Sequence, residues 1–121
     1  MKDMQQWDVW ELDQLAAREI SNPKQPLDKK REARRYVILS VSKNIQTTGV
    51  VVCSPIGEHP YIFAYNPLIS KGEAGSSKEC CLWCHEIYTF SVNLFSKKIG
   101  SISHRQEELK VLYKLYLRLD F

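Results

Sequence analysis

Two nearly continuous apolar, β-branched runs, Tyr36-Val37-Ile38-Leu39-Ser40-Val41 and Gly49-Val50-Val51-Val52-Cys53, constrain this chain more than any other feature. Each has strand length, and a strand apolar on both sides of its pleat belongs inside a sheet. The two are expected to form the buried centre of one. Residues 42–48 between them are of hairpin or short-loop length, and Pro55-Ile56-Gly57-Glu58-His59-Pro60 is expected to end the second strand.

The rest of the chain supplies partners for that centre. Trp7-Asp8-Val9-Trp10-Glu11-Leu12 is aromatic and β-favouring and reads as a first strand. Residues 61–65 give a further strand, residues 66–78 are rich in Gly, Ser and Pro and read as a long surface loop, and residues 81–90 resume strand character. Lys97-Lys98-Ile99-Gly100-Ser101-Ile102 supplies one more short strand. Ser103 and Gln106 then have capping-box spacing, so a helix is expected to start there. Leu109, Leu112, Tyr113, Tyr116 and Leu119 recur at helical spacing as one apolar stripe. Five or six short strands and one terminal helix predict a mainly β fold: a small, partly open barrel with a C-terminal α-helix.

With 121 residues the chain is long enough for one hydrophobic core and too short for two, so residues 1–121 are read as a single domain. No apolar run approaches the roughly 18 residues that span a bilayer, and the N-terminal residues lack a basic stretch followed by an apolar one. The expectation is a cytoplasmic protein with no membrane partner. The formal charge is only +3, but it is unevenly placed. Lys24, Lys29, Lys30, Arg31, Arg34 and Arg35 face only Asp28 and Glu32, so residues 24–35 carry +4 and the remainder −1. From about Asp13 to Arg35 the chain holds Pro23 and Pro26, each of which disfavours helix at the residue before it, so most of this segment reads as an exposed loop whose basic run suits a phosphate backbone or an acidic peptide.

The order of these segments resembles the PemK/MazF family of toxins from bacterial toxin–antitoxin modules. Trp7-Asp8-Val9-Trp10-Glu11-Leu12 is similar to the family's opening strand, and Arg35-Tyr36-Val37-Ile38-Leu39-Ser40 to its Arg-Pro-Val-Val-Val-Leu-Ser type of second strand. Val50-Val51-Val52-Cys53-Ser54-Pro55-Ile56 resembles the apolar strand that ends in Pro-Ile/Leu-Thr. His85-Glu86-Ile87-Tyr88-Thr89 falls where the family tends to have an acidic residue followed by Gln-Ile-Arg-Thr. The resemblance implies an SH3-like barrel, a homodimer, inhibition by a cognate antitoxin, and cleavage of single-stranded RNA at short sequences with no metal or other cofactor.

Cleavage of RNA through its own 2′-hydroxyl needs a proton acceptor, a proton donor for the leaving oxygen, and positive charge beside the phosphate. Arg35 matches the arginine that begins the family's second strand, and a guanidinium offers paired donors to a phosphate without losing its charge. Arg34 is a competing alignment, and Lys29, Lys30 and Arg34 are expected to contact RNA. The family's threonine, two residues after the strand proline, is Gly57 here, so either Ser54, Glu58 or His59 takes over its role, or activity is reduced or absent and the chain is a non-catalytic binding module on the same barrel, for a protein target or RNA. Imidazole titrates near neutrality, which makes His59 a proton-transfer candidate. Glu86 and Tyr88 fall at the family's Gln and Arg positions. On a regular strand they share a face, Glu86 as a base and Tyr88 as a hydroxyl donor or a stacking platform.

Cys53, Cys80, Cys81 and Cys84 are unlike a disulfide framework, with three of the four within five positions. Cys81-Leu82-Trp83-Cys84-His85 fits the C-x-x-C-H pattern of haem attachment, and Cys80, Cys81, Cys84 and His85 include zinc-ligand types. Neighbours on an extended strand point in opposite directions and do not converge on a metal, so buried, reduced thiols are the expected state.

Overall fold

A computed structural model describes residues 3–13, 15, 34–58 and 66–117. The basic stretch at residues 24–33, with Lys29 and Lys30, His59 and the strand expected at residues 61–65 lie outside the described residues.

Among the described residues seven strands form one curled antiparallel sheet: β1 (Asp8–Leu12), β2 (Arg35–Ile38), β3 (Val50–Gly57), β4 (Leu68–Ile69), β5 (Cys80–Leu82), β6 (Tyr88–Ser91) and β7 (Phe95–Ser101). The spatial order is β4-β5-β3-β2-β1-β7. Both apolar runs are central, as their composition required. β3 is the spine: β2 lies along one edge, while the other edge carries β6 opposite Val50–Cys53 and β5 opposite Ile56 and Gly57.

That division explains why the strand runs through Pro55 instead of ending there. Pro55 sits between the two pairings, where its missing N–H deprives neither neighbour, and its carbonyl still accepts from Trp83 N at 3.0 Å. The expected loop after β2 is also corrected. Ser42–Thr48 is an α-helix, α1, anchored by the fully enclosed Ile45 and closed by Gly49 at φ 73°. The Thr47 and Thr48 hydroxyls turn back onto the carbonyls of Lys43 and Asn44, so two β-branched residues are accommodated in the last turn.

Residues 66–78 are no plain loop either, since they contain β4 and a tight turn at Glu73–Gly75. The strand expected over residues 81–90 is broken: β5 stops at Leu82, Cys84 and His85 turn, and pairing resumes at Tyr88. The C-terminal helix α2 spans Gln106–Leu117 after a single 3-10 turn at Ser103–Arg105. The Ser103 capping box does not form. Ser101 Oγ accepts from the Ser103 amide instead, at 3.2 Å.

The sheet buries a cluster on each face. One holds Trp10, Leu12, Tyr36, Ile38, Ile45, Phe90 and Phe95. The other holds Trp7, Val9, Val37, Ile56, Leu82, Cys84 and, from the apolar stripe of α2, Leu109 and Tyr113. Alternation along β2 separates the faces, with Tyr36 and Ile38 on one and Val37 on the other.

Candidate active site and partner surface

The end of the sheet where β2 begins and β3 finishes gathers the polar residues of interest. Arg35 opens β2 opposite Ile56. Its guanidinium donates from Nη1 to Ser76 Oγ at 3.4 Å. Ser76 is buried, and its hydroxyl lies 3.3 Å from Cys80 Sγ. Because arginine only donates, the serine oxygen accepts that N–H. β3 then runs past Gly57 to Glu58, which is ion-paired with Lys78 at 2.5 Å. Sequence reasoning passed over Ser76 and Lys78 because they sit in a Gly/Ser-rich stretch whose turn and strand it did not resolve.

Gly57 is the position at which the family resemblance asks for threonine. The Trp83 indole fills that space: a Cβ on Gly57 would lie 1.8 Å from Cζ2 and 2.3 Å from Cε2. Trp83 is itself buried. The missing hydroxyl is therefore coupled to a bulky neighbour that occupies its place.

Glu86 and Tyr88 do meet, with the Tyr88 hydroxyl donating to Glu86 Oε1 at 3.3 Å. The Tyr88 ring stacks on Phe90 at 5.6 Å and meets the edge of Tyr36 at 6.2 Å. These rings belong to the face that carries Tyr36, whereas Arg35, its neighbour in β2, reaches Ser76 on the other face. The sheet thus separates Arg35 from the Glu86–Tyr88 pair. The turn at residues 84–85 also breaks the expected parity, because Cys84 and Ile87 both pack in the α2-side cluster.

Arg34 is engaged by Glu11 at 2.8 Å. Ser54, the candidate for the threonine's role and for RNA binding, has no exposed surface, and its hydroxyl donates to the Glu86 carbonyl at 2.7 Å, tying the segment before β6 to β3. All four cysteines are free and buried. Burial pushes the Cys84 thiol up to about 11 and raises Cys53 further, as expected of thiols enclosed by apolar side chains. Among the described residues no group of three or more His, Cys, Asp or Glu side chains converges on a metal position.

A second feature lies between α2 and the β2–β3 region. It is a groove of about 420 Å³ lined by Gln6, Trp7, Leu39, Val52, Tyr113 and Leu117, with Lys110 and Lys114 beside it. Trp7 holds φ 72°, fixed by its amide donating to Ile38 O and its carbonyl accepting from Ile102 N. Its indole Nε1 is buried and has no hydrogen-bond partner among the described residues. On the neighbouring surface of α2, Val111 and Leu115 are exposed. Among the described residues no helix is long and apolar enough to cross a membrane.

The fold is that of the MazF endoribonuclease toxins, as the sequence resemblance implied. A mycobacterial endoribonuclease solved in complex with its cognate antitoxin superposes with a TM-score of 0.68 over 98% of each chain, at 12% identity. Toxin MazF-mt6 of Mycobacterium tuberculosis gives 0.67 over 94% of this chain and 99% of its own, at 16% identity. MazF of Deinococcus radiodurans gives 0.69 over 98% and 100%, at 9% identity. No protein-family model matches the chain, and no curated protein matches it by sequence.

Proposed function

We propose that this chain is the toxin of a toxin–antitoxin pair and cleaves single-stranded RNA at short sequences without a metal ion. The observation that carries the reading is Arg35: within a fold matched over nearly the whole chain by MazF toxins, it opens β2 at the sheet end where β3 delivers Gly57 and Glu58. In the proposed step the 2′-oxygen attacks phosphorus and the bond to the 5′-oxygen breaks, leaving a 2′,3′-cyclic phosphate and a 5′-hydroxyl. Arg35 stabilises charge on the phosphoryl oxygens, assisted by Lys78. His59, the residue after Glu58 in sequence, takes the proton from the 2′-hydroxyl and gives it up to the departing 5′-oxygen, so that the 5′-hydroxyl forms. Glu86 moves from proton transfer to recognition: with Tyr88, which is only half-buried, it offers a carboxylate and an aromatic ring to an unstacked base. Lys29, Lys30 and Arg34 guide the backbone.

A cytoplasmic homodimer held by a cognate antitoxin completes the proposal. Such partners need apolar surface away from the cleavage end, and the groove beside Trp7 and Tyr113 together with Val111 and Leu115 supplies it. A second reading, a binding module that does not cleave, draws on one observation, the Trp83 indole in the place of the threonine side chain. Incubation of EDTA-treated protein with a long single-stranded RNA, beside Arg35→Ala, separates the two. Discrete cuts by the wild type alone, mapped by primer extension, support the enzyme. Intact RNA at high protein concentration sinks it in favour of the binding module.

A further inference from the structure

We infer that Glu73 and Ser76 are positioning residues for Arg35, acting through the turn at residues 70–76; the inference rests on the role proposed for Arg35. A free arginine side chain samples many rotamers, and one that must meet a phosphate oxygen gains from being held in place beforehand. Ser76 Oγ accepts the one hydrogen bond that the Arg35 guanidinium makes among the described residues. Ser76 is only 4% exposed, so what fixes the turn also fixes this acceptor.

The turn is fixed from three directions. Internally, Gly72 N donates to Ser76 O at 2.8 Å, Glu73 N to Ser70 O at 2.9 Å and Ser76 N to Glu73 O at 2.9 Å. Against β7 there is no free space: a Cβ on Gly75 would meet Ile99 O at 2.4 Å, and one on Gly100 would meet the Ala74 carbonyl carbon at 2.7 Å. Towards the start of α2, the Glu73 carboxylate bonds His104 Nε2 at 2.7 Å, Arg105 Nη1 at 3.1 Å and the Ser70 amide at 3.2 Å. Arg105 is in turn locked to Leu68 O at 2.6 Å and to Glu108 Oε1 at 2.8 Å. An isolated surface ion pair would hold little, but a carboxylate shared among three donors defines one geometry. The path therefore runs from α2 through Glu73 and the turn to Ser76, and ends on Arg35.

The test uses two independent readouts on the full chain. The side-chain Nε–Hε resonance of Arg35, assigned by its loss in Arg35→Lys, is expected to shift or broaden in Ser76→Ala and Glu73→Ala and to persist in Ser76→Thr. In RNA cleavage the same two alanine variants are expected to lose about tenfold in kcat. The Kd for an RNA carrying a 2′-deoxy block at the cut should change less than about twofold, because orientation rather than binding is lost. Ser76→Thr should restore the rate. Glu73→Gln, a change confined to one carboxylate, serves if Glu73→Ala fails to fold. An unaltered Arg35 resonance in both positioning variants overturns the inference. If the wild type cuts no RNA, the ribonuclease reading fails, while the resonance alone still decides whether the turn holds Arg35.

Discussion

Replacing Gly57 with alanine is the sharpest test of the packing at the sheet end. In an ordinary β-strand this change is favourable by about 0.5–1 kcal/mol, since glycine loses more backbone entropy on folding. Here the new methyl would lie 1.8 Å from Trp83 Cζ2, against the roughly 3.5–4.0 Å of a normal carbon contact. The indole must retreat by about 2 Å, and at 7% exposure it has little room to do so. Sliding it within its site places the variant among overpacked cores, at about 1–3 kcal/mol; expelling it approaches the roughly 3–5 kcal/mol of deleting a buried aromatic. We expect a loss of about 3 kcal/mol, or on the order of 10 °C in Tm for a domain of this size. Urea unfolding followed by far-UV circular dichroism is the assay, because a tryptophan is removed in the companion arm. In a Trp83→Ala background Gly57→Ala should be neutral to stabilising by up to about 1 kcal/mol, giving a coupling of about 3–4 kcal/mol. Equal effects of Gly57→Ala in both backgrounds would refute the reasoning.

Three further outcomes are expected. Ile45→Ala should destabilise the protein by about 2–5 kcal/mol and weaken α1, since this fully enclosed side chain is what seats that short helix; thermal melts check it, and a change below about 1 kcal/mol would detach the helix from the core. The four thiols should resist an aromatic disulfide reagent at pH 8 in the native protein and all react in guanidinium, because burial raises the Cys84 thiol to about 11; rapid native labelling would contradict their enclosure. Burial alone would raise the Glu73 carboxyl, but the hydrogen bonds from His104 and the Ser70 amide and the charge of Arg105 outweigh it, and Arg105 lowers Glu108 likewise. Both groups therefore add stability above their ordinary range near pH 4.3 and lose it as pH falls through their lower folded values, so Glu73→Gln should flatten the acid limb of a Tm–pH curve.

Much of the fold was legible because the strongest patterns coincide with the deepest burial. The two β-branched runs became β2 and β3, and Leu109 and Tyr113 of the helical stripe became the seam of α2. What escaped was decided by tertiary contact. Ser42–Thr48 contains one apolar residue, Ile45, so its helix leaves no periodic trace. The break between β5 and β6 has no glycine or proline to mark it, and the proline that seemed to end β3 is tolerated by a gap between neighbours that lie some 30 residues further on. At the candidate site, Arg35 was readable from its place ahead of an apolar strand. Its separation from Glu86 and Tyr88 was not, because parity through residues 84–85 assumes a strand that turns there instead.

β1 pairs with β2 on one side and with β7 on the other, as far as Asp8 opposite Ser101. The Ser101 hydroxyl bonds Trp7 O across 94 residues of chain. The first strand to leave the ribosome thus waits for the last strand before both its edges are filled. During synthesis its apolar side chains and unpaired amides stay open to early partners, and the sheet gains β7 only as residues beyond Ser101 emerge. Deleting the first dozen residues would for the same reason do more than trim an edge: it would remove the strand that joins the beginning of the sheet to its end.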